Sequence, residues 1–536
     1  MNFKNIFKIF LLIIVFLNSH NLFSQYSKTH FIPPVTTQAI DGVSAPCQQY
    51  IYVSTPSDTP ISVTIKQIGG ITETNDNVSN LNPWTYYIGT GDDTNLIINA
   101  SDVNSSPFSD KGFIIESEGL VYASARLFSC ANDGFSPGYQ AAALVSKGNA
   151  ALGTEFRAGT FENPGTYTDN GWNPQGTAFL NFITVLATQD NTTVNFSEFG
   201  PGVIIDNATN ILLNAGQSYS IAIDPSPTST NENNATGLIG SLIESNKPIA
   251  VNTGSFNGSN LDNEEFDAGG QDIGFDQIVP SNIIGDEYIF VRGLGPDEIE
   301  RPLIVAHENE TEIFVNGTSY ITLQAGEFTF IDASEYGESF SILDYDFFGN
   351  VNDNGYPANP ALFFDDEPSI NQSLNMYVNS SKPVFAYQII GGLRTGSAGA
   401  FQNSITGGEA NIGLFYVPPL NCKTPKSVNN IPSVNQIGNE EFSGIVTIVT
   451  ETGSDVFING NNINTLSALP KIVEANPLYE SYTIEGLQGN ISVESTSQVY
   501  VATFGAYDYA TFGGYYSGFE FKPEIILETL NEDESC

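Results

Sequence analysis

Basic residues are scarce in this sequence of 536 residues, which has 17 Lys and Arg against 60 Asp and Glu. The formal net charge is −43, and a surface this acidic repels the phosphates of nucleic acids. Nucleic acid is therefore excluded as a partner. The ordinary consequence of such charge is solubility, and a preference for cations or basic partners is the narrower alternative. Hydrophobic residues at 40% and aromatic residues at 12% argue against a disordered chain.

Histidine is also scarce, with three in the whole chain. It is the commonest general base, but His30 and His307 have no metal-ligand spacing and no partner group nearby in sequence. Residues 134–138 match the G-x-S-x-G pattern of serine hydrolases. Pro137 follows that serine, however, and has no backbone N–H for an oxyanion. The sequence therefore predicts a protein that is not an enzyme and has no catalytic residue.

Long apolar runs are missing after the N-terminus, so the mature chain has no membrane-spanning segment. The one leading run, residues 9–17, follows Lys4 and Lys8 and is too short for a membrane anchor. Ser24 supplies the small residue that precedes a signal cleavage site. We predict a signal peptide at residues 1–24 and a mature chain from Gln25. The protein is then secreted or on the outer cell surface, with the periplasm as the less favoured alternative.

Four cysteines, Cys47, Cys130, Cys422 and Cys536, form no C-x-x-C pair, which leaves a zinc ribbon unsupported. Disulfides are permitted in an exported protein. The first two cysteines flank the first repeat described below, and the last two flank the fourth. Pairing within each couple and unpaired thiols both remain open.

One sequence pattern recurs four times, as a short polar segment followed by an alternating apolar strand. Aligned on Val121, Ile249, Val384 and Val499, the copies lie 128, 135 and 115 residues apart. A hairpin of β-branched strands precedes each copy, and a Gly-rich loop with a short apolar strand follows it. No long amphipathic helical pattern is present. The sequence predicts an all-β fold of four repeated antiparallel units.

The mature chain opens at residues 30–34 with an apolar strand closed by Pro, similar to the strands that end the units, which are often closed by Pro as well. If the first and last strands complete one sheet, the units close into a β-propeller-like ring, which we favour. A row of tandem β-sandwiches is the alternative. The predicted divisions after the signal peptide are units at 25–160, 161–295, 296–428 and 429–525 and a tail at 526–536.

Candidate ligand contacts lie on the Gly-rich loops, because binding concentrates on loops held by a rigid scaffold. The loop at residues 257–276 is the richest in acids. A solvated acidic surface is the ordinary interpretation of such a loop. The more specific hypothesis is that five residues of this loop contact a ligand: Asp262, Glu264, Glu265, Asp267 and Asp272.

A second loop resembles the front of a calcium site. Asn350, Asn352 and Asn354 place oxygen side chains at alternate positions, with Gly355 sixth. The ligands are neutral, and Ala361 stands where an EF-hand loop carries glutamate. An ordinary Asn/Gly-rich loop is therefore the better interpretation, and weak calcium binding stays open. No other cofactor is expected.

Several segments around the second and third units resemble a known family. They are residues 190–194, 215–219, 240–251, 277–280 and 285–288. These segments are similar to the N-terminal domain family of IgGFc-binding proteins, which includes exported proteins of the Bacteroidetes. The similarity covers units two and three best and implies extracellular recognition. Because the shared motifs are structural, no binding residue carries over.

The resulting hypothesis is a secreted or cell-surface binding or adhesion protein. It would recognise an extracellular protein or glycan through the Gly-rich loops. One alternative is a carbohydrate-active enzyme that uses the loop carboxylates. The other is a structural component of the cell surface.

Overall fold

A computed structural model describes most of the chain beyond the predicted signal peptide. It covers residues 25–37, 45–69, 73–130, 137–163, 180–224, 234–258, 260, 272–295, 297, 299–337, 373–391, 412–421, 423–466, 468–507 and 510–519. Within these residues the regular structure is β-strand, apart from 3-10 turns at Ala100–Asp102, Gly148–Ala151, Ala333–Tyr336 and Ile463–Leu466. The predicted all-β class is therefore confirmed. Across the same residues, no helix is long and apolar enough to cross a membrane.

One long strand organises the first unit. Its strands are β1 (Ser27–Ile32), β2 (Val35–Thr37), β3 (Ala45–Ser54), β4 (Ile61–Gln67), β5 (Glu73–Val78), β6 (Trp84–Gly89), β7 (Ile97–Asn99), β8 (Phe113–Cys130) and β9 (Pro137–Val145). The first half of β8 pairs with β1 and β4, and its second half pairs with β3 and β9. The main strand order is β5-β4-β8-β3-β6, and β2 pairs with β7 in parallel.

The second unit has the same topology around its own long strand. Its strands are β10 (Gly153–Arg157), β11 (Leu180–Ala187), β12 (Thr192–Ser197), β13 (Asn210–Leu213), β14 (Ser218–Ile223), β15 (Leu242–Gly258) and β16 (Asp272–Ile278). Their order is β13-β12-β15-β11-β14, with β10 and β16 also paired to β15.

The third unit repeats this order. Its strands are β17 (Gly285–Val291), β18 (Leu303–Ala306), β19 (Thr311–Val315), β20 (Thr318–Leu323), β21 (Phe328–Phe330), β22 (Asn375–Gly391) and β23 (Ile412–Tyr416). Their order is β20-β19-β22-β18-β21, with β17 and β23 also paired to β22.

In the fourth unit the long strand is interrupted, which divides the sheet in two. Its strands are β24 (Ser427–Ile431), β25 (Gln436–Ile437), β26 (Glu440–Glu441), β27 (Ser443–Glu451), β28 (Val456–Ile458), β29 (Asn461–Asn462), β30 (Lys471–Ile472), β31 (Tyr479–Leu487), β32 (Ile491–Ser495), β33 (Val499–Tyr507) and β34 (Ala510–Tyr515). One sheet has the order β24-β32-β28-β29 and the other β30-β31-β27-β33-β34. Strands β32 and β33 stand where the other units have one long strand.

The recurring polar segment is a bend inside the long strand. In the first three units a serine hydroxyl there donates to the carbonyl two residues on, as in the bond from Ser245 to Lys247 O of 2.7 Å. From the sequence, this polar segment was expected to precede a strand and not to lie inside one. The structure shows that the chain continues in β conformation on both sides, because each half finds different partner strands.

The last strands of the four units, β9, β16, β23 and β34, are here called the central strands. β9 packs against β16 and β34, and β23 packs against the same two strands, so the contacts form a closed circuit. Every residue of β16 and β34 is buried. Each unit has more strands than a four-stranded propeller blade. The propeller class therefore stays a prediction, as does a tandem sandwich.

Strand pairing moves the unit boundaries towards the N-terminus. β10 begins at Gly153 and pairs within the second unit, although the predicted first unit extends to residue 160. β17 begins at Gly285 and pairs within the third unit, before the predicted start at 296. β24 begins at Ser427, before the predicted start at 429. The first strands of the second, third and fourth units thus follow soon after the last strand of the preceding unit, which is β9, β16 and β23 respectively.

Candidate functional site: a cleft at the junction of the first and fourth units

Most of the predicted site residues lie outside the described residues. This applies to Asp262, Glu264, Glu265 and Asp267 on the acidic loop, and to Asn350, Asn352 and Asn354 on the second loop. Their roles stay predictions. Across the part of the chain that the structure describes, no group of three or more His, Cys, Asp or Glu residues could hold a metal ion.

Asp272 is the one residue of the five predicted ligand contacts that the structure describes. It does not lie on a solvated loop, as was expected. It begins β16 and its side chain is fully buried. Its carboxylate accepts backbone N–H groups from Ala141 in β9, Thr511 in β34 and its neighbour Ile273, at 2.8, 3.0 and 2.7 Å. Burial raises the pKa of this carboxyl well above its usual range. Asp272 therefore connects three units and presents no surface to a ligand.

A second buried aspartate lies four residues further along β16. Asp276 Oδ1 accepts from Lys147 Nζ at 2.5 Å, and Oδ2 accepts from the backbone N–H of Tyr416 at 3.0 Å. Both charged side chains are almost fully buried, at 0% and 1% exposure. The ion pair of Lys147 and Asp276 joins the first unit to the second. The hydrogen bond from the backbone N–H of Tyr416 joins the second unit to the third.

Both histidines beyond the predicted signal peptide, His30 and His307, contact neighbouring groups of the fold. His30 is buried, and its ring contacts the Ser146 hydroxyl at 3.0 Å and the Val121 carbonyl at 3.0 Å. Burial lowers the pKa of His30 to about 4, so its imidazole is neutral in ordinary conditions. His307 pairs with Glu155 at 2.8 Å, and burial lowers its pKa as well. Residues 131–136, with the serine of the rejected hydrolase pattern, lie outside the described residues.

Cys47 is disulfide-bonded. Strand pairing places the backbone of Cys130 opposite Ala45, two residues from Cys47. Cys422 and Cys536 lie outside the described residues. An unpaired thiol is therefore excluded for Cys47, and the pairing within each couple of cysteines stays open.

A cleft of about 150 Å³ opens where Gln25 and Tyr26, the first residues that the structure describes, meet the fourth unit, and it is named here the junction cleft. Its lining residues come from five parts of the chain: the segment before β1, the β3–β4 turn, β8, the region around β24, and the residues directly after β34. They are Gln25, Tyr26, Pro56, Tyr122, Pro425, Ser427, Asn429, Tyr516, Ser517 and Gly518. Among the described strands, β1 pairs with β8 and β34 pairs with β33, so the expected completion of one sheet by the first and last strands is not found. The cleft forms where Gln25, just before β1, bonds to Tyr515 at the end of β34.

Three tyrosines give the junction cleft an aromatic wall. The rings of Tyr26 and Tyr122 are stacked with centroids 4.8 Å apart, and Tyr516 meets Tyr122 edge-on at 6.2 Å. Tyr26 OH contacts the Thr55 hydroxyl at 3.2 Å, which fixes the outer ring. Burial raises the pKa of Tyr26, so its phenol stays neutral. Aromatic faces of this kind take up flat apolar groups or cations.

Charged groups are absent from the described lining of the junction cleft. Gln25 Nε2 donates to the carbonyl of Tyr515 at 2.5 Å and so fixes one edge. Behind the aromatic wall, Arg126 donates to Tyr516 OH at 3.3 Å and to three backbone carbonyls of the fourth unit. The lining holds no carboxylate or imidazole for acid–base chemistry.

Sequence reasoning missed the junction cleft because its parts are far apart in the chain. Tyr26 and Tyr516 come from its two ends, and no local pattern connects them. The one available signal was the likeness between the opening segment at 30–34 and the strands that close each unit. That likeness predicted closure of the first and last strands, but not which side chains would meet there.

The comparisons with known proteins agree with the family resemblance. Residues 141–348 match the family model described as IgGFc binding protein, which confirms the resemblance over that range. We found no match among curated proteins.

Two solved structures show weak similarity. Viral chemokine binding protein R17 encoded by rodent gammaherpesvirus Peru is 7% identical, over 66% of this chain and 84% of that one, with a TM-score of 0.12. Trypsin activated alpha-2-macroglobulin from Escherichia coli is 9% identical, over 93% of this chain and 42% of that one, with a TM-score of 0.13. Neither carries an argument at these scores.

Proposed function

We propose, from the match of residues 141–348 to the IgGFc binding protein family, that this protein is an extracellular binding protein whose ligand is another protein. The family match is the observation that carries the proposal. The matched range runs from β9 into the third unit, so it includes the central strand β16 and the acidic loop before it. Secretion or display on the outer cell surface follows from this role and from the predicted signal peptide.

The direction of the central strands supports ligand contact through the Gly-rich connections. The start of β16, at Asp272, meets Thr511 near the start of β34, and the later Asp276 meets Lys147 just after β9. β9, β16 and β34 therefore begin at the same end of the circuit. The connections that precede them, residues 131–136, 259–271 and 508–509, join the described chain at that end. A rigid scaffold with connections gathered at one end commonly binds ligands there.

The junction cleft offers a further contact of a different kind. Its volume is below that of ordinary small-molecule pockets, so an extended protein ligand would place only one group in it. The tyrosine wall suits an apolar or a cationic side chain. The net charge of −43 attracts basic ligands over long distances, which favours a cationic side chain.

The main experiment measures binding of the purified mature chain to immobilised proteins, with IgG Fc as the first probe and extracellular matrix proteins beside it. In the test variant a Gly/Ser linker of equal length replaces residues 259–271. We expect saturable binding to a protein that this variant loses. Its circular dichroism must match that of the parent. Absence of binding to every protein, or cleavage of a polysaccharide by the parent, would overturn the proposal.

A second variant tests the junction cleft. Tyr26→Ala removes one face of the aromatic wall, and we expect weaker binding by about tenfold, the loss typical of an aromatic contact residue. Tyr87→Ala is the matched control, because Tyr87 is half exposed at 52% and does not line the cleft. Equal affinities for the two variants would remove the cleft from the binding surface.

A further inference from the structure

The buried pair of Lys147 and Asp276 has unusual surroundings for two charged groups. Lys147 Nζ meets one hydrogen-bond acceptor in the described chain, Asp276 Oδ1 at 2.5 Å, although an ammonium has three donors. Its other neighbour is the ring of Phe519, with the centroid 5.4 Å away. A fully buried ammonium with one acceptor among the described residues is costly, because burial removes the group from bulk water.

The carboxyl of Asp276 is held by backbone amides on both oxygens. The N–H of Gln277 donates to Oδ1 at 2.8 Å, and the N–H of Tyr416 donates to Oδ2 at 3.0 Å. Burial lowers the pKa of Lys147 and raises the pKa of Asp276, and their mutual attraction opposes both shifts. Burial therefore disfavours the charged form of each group. The uncharged forms of an amine and a carboxylic acid are the ones that condense to an amide.

We propose that Lys147 and Asp276 form an intramolecular amide bond that joins the first unit to the second. The lone pair of Nζ attacks the carboxyl carbon of Asp276, and a carbon–nitrogen bond forms. The bond from that carbon to the hydroxyl oxygen then breaks. The hydroxyl leaves as water with one proton from the amine, so neither an oxidant nor a cofactor is required.

The backbone around Asp276 is arranged to assist this reaction. Tyr416 N–H binds the oxygen that remains as the amide carbonyl, and it stabilises negative charge there in the tetrahedral intermediate. Full burial keeps bulk water away from the product, which disfavours hydrolysis. Asp272, on the same strand, is equally buried, but its hydrogen-bond donors in the described part of the chain are backbone N–H groups, so we expect it to stay a free carboxyl.

The test is the intact mass of the folded mature chain after reduction of its disulfides. We expect a mass lower than that of the sequence by one water, and a branched peptide linking Lys147 to Asp276 after digestion. Cyclisation of Gln25, if it becomes the N-terminal residue, would instead remove ammonia and appear in a different peptide. A folded parent protein with the full sequence mass at these two residues would overturn the proposal, whether or not any variant folds.

Variants localise the bond. Lys147→Met should retain the full mass, whereas the matched control Asp272→Asn should still lose one water. Asp276→Asn can form the same amide with release of ammonia, so its product should have the same mass as the parent's product. Loss of water in Lys147→Met would place the modification elsewhere and would also overturn the proposal.

Discussion

The hydroxyl of Tyr387, in the third unit, donates to the backbone carbonyl of Arg157, in the second unit, at 2.6 Å. Both groups are buried, and the ring of Tyr387 lies directly over Gly159, where an added Cβ would come within 2.6 Å of the ring. The glycine thus allows the two backbones to approach, and the hydroxyl closes the contact. The two units adhere through a specific polar bond as well as through apolar packing.

Replacement of this hydroxyl has a definite expected cost. Tyr387→Phe removes the donor and leaves the Arg157 carbonyl buried, so the free energy of unfolding should fall by about 1 kcal/mol. Denaturant unfolding of the purified protein measures the change. Tyr87→Phe is the control, because Tyr87 is half exposed, and it should change the stability little. An unchanged unfolding free energy in Tyr387→Phe would show that the bond adds nothing to the contact.

Arg126 makes the corresponding connection between the first and fourth units. Its guanidinium donates to the carbonyls of Pro432, Ser433 and Gln436 at 2.6 to 2.8 Å, and it lies 4.1 Å from the ring centroid of Tyr52. Arg126→Lys retains the charge but loses the planar fork, so stability should fall by about 3 kcal/mol. The control is Lys66→Met, which removes a half-exposed surface ion pair and should change stability by less than about 1 kcal/mol. Equal effects in the two variants would contradict a closing role for Arg126.

Glu300 predicts a dependence of stability on pH. Burial raises the pKa of Glu300 to about 7, although Arg292 and the N–H groups of Gly293, Gly295 and Gly391 oppose the shift. Because the pKa in the folded state lies above the ordinary glutamate value of 4.5, the folded protein binds the proton more tightly than the unfolded chain does. Its contribution to stability is therefore complete below pH 4.5 and is lost as the pH rises through about 7.

The measurement compares the melting temperature of the parent and of Glu300→Gln at about pH 5 and about pH 8. The parent should lose more stability between these values than the variant, which cannot titrate at this position. His30 titrates in the opposite sense, because burial lowers its pKa to about 4, and it affects both proteins equally. Parallel pH profiles for the two proteins would contradict the role of Glu300.

The disulfide of Cys47 can be assigned directly. We expect peptide mapping without reduction to join Cys47 to Cys130, since strand pairing places Cys130 opposite Ala45. A bridge over this length of chain stabilises by about 4 kcal/mol in the chain-entropy model, so reduction should lower the unfolding midpoint. A bridge from Cys47 to Cys422 or Cys536 would refute the pairing.

The sequence predicted those features that depend on local pattern. Period-two alternation and turn residues identified the strands, and the copies anchored on Val121, Ile249 and Val384 indeed lie at the same place in three sheets. The bend at Ser117, Ser245 and Ser380 was misplaced, because a serine that bonds its own backbone looks the same in a turn and inside a strand.

Asp272 was misplaced for a different reason. An acid in a Gly-rich segment is ordinarily solvated, and its composition gives no sign of what packs on it. The groups that bury it, Ala141 and Thr511, are 131 and 239 residues away in the chain. The junction cleft was missed for the same reason, since Tyr26 and Tyr516 are far apart in the sequence and line one cleft only in the folded protein. Contacts between units leave no trace in local periodicity.

The complete burial of β16 and β34 limits how the protein can be divided. Each central strand is covered by neighbours from other units, so a fragment that lacks one unit exposes apolar strand edges on the remaining ones. The four copies are therefore interdependent, and their unfolding should be a single cooperative event. A shorter recombinant fragment of this protein should therefore aggregate, whereas a single domain cut from a chain of independent domains would stay soluble.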